Sequence, residues 1–88
     1  MRYSVTRLCG GKALMAAPRD DIRLDLTKAA AVLSEIGEIK SCDGMMLVFA
    51  WKEMEVTVYE QGKIMFHPLD DRGTAISYAD EILRMLTE

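Results

Sequence analysis

Between Glu38 and His67 four strand-like segments follow one another with almost no connecting chain: EIKSC (38–42), MMLVFAW (45–51), MEVTVY (54–59) and KIMFH (63–67). Connections this short leave no room for a crossover, so consecutive segments must pair antiparallel. Few other features of the chain constrain its fold as tightly.

The side chains then select a register. With Lys52-Glu53 as a two-residue loop, Trp51 faces Met54, Phe49 faces Val56 and Leu47 faces Val58. With Glu60-Gln61-Gly62 as a three-residue loop and Gly62 left-handed, Val58 meets Ile64 and Val56 meets Phe66. Both hairpins gather their large apolar groups on one face, and a slip of one residue would turn them all outward. The opposite face follows without further choice: Met46, Val48 and Ala50, then Glu55, Thr57 and Tyr59, then Lys63, Met65 and His67.

Around this block the spacing predicts two helices. One begins at Asp25, an N-cap residue, and runs to about Ile36 before Gly37, with Leu26, Ala29, Ala30, Leu33 and Ile36 as its apolar stripe. The second runs from about Gly73 to Leu86 behind Asp71, with Ala75, Ile76, Ala79, Ile82, Leu83 and Leu86 inward. RYSVTRL (2–8) alternates as a strand, whereas residues 10–21 read only as an ordered insertion of undefined form. The expectation is a single α+β domain over 1–88 of order β-α-β-β-β-β-α. Its five-stranded antiparallel sheet has both helices on one face and leaves the other open.

Eighty-eight residues suffice for one core. A net charge of −3 disfavours a nucleic-acid partner, whose phosphates need a basic face. No apolar run approaches a membrane span, and no secretory leader is recognisable, so the expected location is cytoplasmic with no membrane partner. There Cys9 and Cys42 are expected as free thiols.

The pattern VTVYEQGKIMFHPLD followed by a helix ending ADEILRML resembles the repeated half-unit of the TATA-binding-protein family. LDLTKAA is similar to that family's approach to its first helix. The resemblance is local and short, over about residues 22–86. It implies a half-saddle whose helix-free face is the working face. An aromatic at the position of Tyr59 would help to kink DNA, with Met65 and His67 on the same side.

Other candidates for chemistry are few. Gly10, Gly11 and Lys12 could form an anion-binding loop, although the spacing is not that of a P-loop and a plain turn is the simpler reading. Cys9 is a candidate reactive thiol. With His67 it suggests a thiol or metal site, which the expected topology opposes by setting the two about four strand residues apart. No metal or other cofactor is expected, and no catalytic set is recognisable. Of the methionines, Met45, Met54 and Met85 are expected in the core, leaving Met46 and Met65 for a surface. The function expected is a non-enzymatic binding module using Met46, Val48, Thr57, Tyr59, Lys63, Met65 and His67. Its partner would be a protein or a second copy joined along the first strand's edge. Nucleic-acid binding through the same face is the first alternative, and a small thiol or metal protein the second.

Overall fold

The computed structural model describes residues 2–8 and 12–87. Their elements are β1 (Tyr3–Arg7), β2 (Leu14–Pro18), α1 (Leu26–Leu33), β3 (Glu38–Cys42), β4 (Met46–Trp51), β5 (Met54–Tyr59), β6 (Ile64–His67) and α2 (Arg72–Thr87). The strands form one antiparallel sheet of six, in the order β1-β2-β6-β5-β4-β3.

The expected five strands are thus corrected to six. The insertion is β2, which lies between β1 and β6 and pairs with both. β1 consequently does not pair with the last strand but sits one place further out. LMAAP conceals this because its inward Leu14 and Ala16 and outward Met15 and Ala17 are all apolar, so no alternation of polarity announces a strand.

Both central hairpins have the predicted register: Trp51↔Met54, Phe49↔Val56 and Leu47↔Val58, then Val58↔Ile64 and Val56↔Phe66. Lys52 and Glu53 both take positive φ (52° and 64°), as a twist-matched two-residue hairpin loop requires. Gly62 has φ 93°, and its N–H donates to the Tyr59 carbonyl at 2.9 Å.

Leu14, Ala16, Leu47, Phe49, Val56, Val58, Ile64 and Phe66 are fully buried on one face of the sheet. There they join Leu26, Ala29 and Leu33 of α1 and Ala75, Ala79, Ile82 and Leu83 of α2 in a single core. Each large side chain so buried contributes roughly 1.5–3 kcal/mol. The helix caps are as expected. The Asp25 carboxylate accepts from the Thr27 and Lys28 N–H groups, and Asp71 accepts from the N–H and hydroxyl of Thr74. Regular α1 stops at Leu33, so Ile36 lies beyond it and is exposed, as is Ile76 on the outer side of α2. Met54 is buried and Met85 half-buried, but Met45, expected in the core, is 73% exposed in the turn before β4.

Candidate functional site

The helix-free face is organised in cross-strand rows. The central row runs Thr6–Met15–Met65–Thr57–Val48–Ser41, one residue from every strand, each paired with the next. Its middle is apolar, and Met15, Met65 and Val48 are half-buried. A second row pairs Met46 with Tyr59, whose N–H donates to the Lys63 carbonyl at 2.9 Å to close the hairpin. A third runs His67–Glu55–Ala50–Glu38 and is mostly polar. Directly opposed residues on one face have Cβ atoms about 4.5–5.5 Å apart, so each row is a continuous strip of side chains.

The predicted face residues Met46, Val48, Thr57, Tyr59, Met65 and His67 therefore lie together, with Lys63 at the strip's end. Thr57 needs one correction. It is on this face but only 3% exposed, between Val48 and Met65, so it is a floor rather than a contact. Met15 and Ala17 extend the face across β2 and were not legible beforehand, for the reason that hid the strand.

Two clefts of different chemistry flank the β5–β6 turn. One, of about 520 Å³, is lined by Pro18, Arg19, Asp20, Asp21, Ile22, Arg23, Gln61 and Lys63. The other, of about 340 Å³, is lined by Asp43, Met45, Met46, Tyr59, Glu60 and Gln61. The Asp43 carboxylate accepts from the Met45 and Met46 N–H groups at 2.8 and 2.9 Å, which holds the turn and keeps its carboxyl below the usual range. No signal in the sequence joins residues 19–23 to residues 61–63, because the link is tertiary.

Cys9, Gly10 and Gly11 lie outside the described residues. Lys12 is exposed beside Pro68, Leu69 and Asp70, and its carbonyl accepts from the Leu69 N–H at 2.8 Å. Cys42 ends β3 at the sheet edge opposite β1, with its Sγ 3.6 Å from the Leu26 carbonyl. Among the described residues no group of three or more His, Cys, Asp or Glu side chains could hold a metal ion. No helix among the described residues is long and apolar enough to cross a membrane.

The two outer edges of the sheet differ. The Arg19 N–H donates to the Arg2 carbonyl and the Leu8 N–H to the Ala13 carbonyl, so by antiparallel alternation Val5 turns its backbone groups outward. Its carbonyl is met there by the Arg72 guanidinium at 2.9 Å. At the other edge β3 carries an irregularity between Ile39 and Ser41, beside an exposed Lys40–Glu38 ion pair at 3.6 Å. Bulges, charges and capped carbonyls are devices that blunt edge-to-edge pairing.

Compared with models of known protein families, with curated proteins and with solved structures, the chain matches none.

Proposed function

We propose that this chain is a non-enzymatic interaction module whose partner docks on the helix-free face of its sheet, with a second copy of the chain as the leading partner. The observation that carries the reading is the central row, whose apolar middle of Met15, Met65 and Val48 is left uncovered by either helix and is bordered by Met46 and Tyr59. An apolar strip with a polar margin is the usual composition of a docking surface, and methionines adapt to the shape of what they meet. Association through the face replaces the expected joining along β1, because Arg72 occupies the Val5 carbonyl there.

The likeness to a TATA-binding-protein half belongs to this proposal. It is supported by the succession β2-α1-β3-β4-β5-β6-α2, with β2 beside β6, β1 being an additional edge strand. The nucleic-acid reading gains no support from charge, since Glu55 and Glu38 share the face with Lys63 and His67. Sedimentation equilibrium over a range of concentrations tests the module directly. A mass rising toward the dimer, and returned to the monomer by Val48→Lys or Met65→Lys, is expected. A strict monomer at high concentration removes the second copy as partner.

A further inference from the structure

The two clefts at the β5–β6 turn share Gln61, and their linings are complementary. We infer that together they form a binding site for a small amphiphilic anion, with a phosphate or carboxylate held by Arg19, Arg23 and Lys63 and an apolar group laid against Met45, Met46 and Tyr59.

The cationic cleft is a built feature rather than a chance gap between loops. Gly62, between the lining residues Gln61 and Lys63, packs closely on the 18–22 segment: a Cβ there would lie 3.0 Å from Pro18 Cγ and 3.4 Å from Ile22 Cβ, and its φ of 93° favours glycine. The segment is tied at both ends, by the Arg19 N–H to the Arg2 carbonyl at 2.9 Å and by the Leu24 N–H to the Glu60 carbonyl at 2.8 Å. Among the described residues, the side chains of Arg19, Arg23 and Lys63 have no ion-pair or hydrogen-bond partner, although Asp20 and Asp21 line the same cleft. Guanidinium groups so placed retain their planar forks for an incoming oxyanion. Within this cleft three cations face two carboxylates, a local charge of one positive, whereas Asp43 and Glu60 line the other cleft; the anionic group is therefore assigned to the first cleft alone, and a polyanion such as a nucleic-acid backbone is disfavoured.

Across Gln61 the cationic side chains give way to Met45, Met46 and Tyr59, with the Asp43 and Glu60 carboxylates beside them. Met45 is 73% exposed, an unusual state for a large apolar side chain, and with Met46 and Tyr59 it offers a soft wall suited to a flat ring or short acyl chain. The larger cleft alone has the size typical of small-molecule sites. The inference is independent of the docking-face proposal, although Met46, Tyr59 and Lys63 border both surfaces.

Amide chemical-shift mapping of the whole chain, titrated at low salt with phenyl phosphate and separately with inorganic phosphate, tests it. Phenyl phosphate is expected to shift residues 19–23 and 61–63 together with 43–46 and 59–60. Inorganic phosphate should shift only the first set and bind about tenfold more weakly, the effect of leaving a small patch of ring uncovered. The double variant Arg23→Gln/Lys63→Gln, both exposed positions, should abolish the response to both probes while keeping a folded spectrum, and Lys40→Gln on the far edge should leave it unchanged. The inference is overturned by an absence of shifts at millimolar probe, by equal affinity for the two compounds, or by a response that survives the double variant. Shifts centred on Val48, Thr57 and Met65 would overturn it too, by placing the ligand on the open face.

Discussion

Arg72, the first residue of α2, reaches across the open edge of the sheet and donates from its guanidinium to the Val5 carbonyl at 2.9 Å. The contact occupies an acceptor that would otherwise face solvent or a neighbouring chain. Arg72→Ala should therefore cost about 1 kcal/mol in urea unfolding. It should also increase association that Val48→Lys does not suppress. Sedimentation of the single and double variants checks this, and an unchanged association state would show that Arg72 does not guard the edge.

The same edge is held at Tyr3, whose hydroxyl donates to Asp80 at 3.2 Å, while Arg84 donates to the other carboxylate oxygen at 2.7 Å. Partial burial, and next the Asp80 charge, push the Tyr3 phenol up from 10.0 to about 12. A folded-state value raised above the unfolded one contributes stability that is fully present below pH 10 and is lost as the pH rises from 10 to about 12. Tyr3→Phe should flatten this alkaline loss in denaturant midpoints measured across that window. Asp80 behaves oppositely: its carboxyl is lowered, chiefly by the Arg84 hydrogen bond. Its contribution is thus present above the ordinary carboxyl value and lost as the pH falls through the depressed one. Asp80→Asn should remove that acid-side loss.

Gly37 lies so close to β4 that a Cβ would overlap the Ala50 carbonyl oxygen and press on the Phe49 ring. Backbone cannot yield as a flexible side chain can. Gly37→Ala should destabilise the domain by about 2 kcal/mol or more, read from thermal or urea unfolding. Gly44→Ala, where a Cβ would meet nothing within 4 Å, serves as the matched control.

The β4–β5 turn holds two non-glycine residues at the positive φ that its hairpin geometry requires, and their side chains differ in what they contribute there. The Lys52 ammonium lies 5.1 Å from the Trp51 ring centre and 5.5 Å from that of Tyr78. Glu53, at φ 64°, has no such contact and is exposed. Glu53→Gly should stabilise the domain by roughly 0.5–1 kcal/mol, the relief of left-handed strain less the chain entropy of glycine. Lys52→Gly should gain less, because it also removes the cation over the two rings. Equal gains in unfolding midpoints would refute this distinction.

Legibility followed the range of the interactions. The Trp51↔Met54 and Val58↔Ile64 pairs could be read because loop length and an alternating pattern suffice to set them, and the caps at Asp25 and Asp71 because capping acts within one helical turn. The face of Met46, Val48, Tyr59 and Met65 came with that register. Met45 was misplaced because its neighbours do not show that the Asp43 carboxylate ties the Met45 and Met46 N–H groups into an exposed turn.

By itself, then, the sequence determined the antiparallel block from β3 to β6, the two helices and which sheet face they cover, since each follows from period, turn and cap within a few residues. Only the tertiary structure decided that Leu14–Pro18 is a strand between β1 and β6, that Thr57 is a buried floor, and that Arg19, Arg23 and Lys63 line one cleft. Those outcomes depend on segments some fifty residues apart in sequence pairing at once, as Met15 does with Met65. The free energy that selects such partners comes from the assembled sheet and core and leaves no mark in either segment alone.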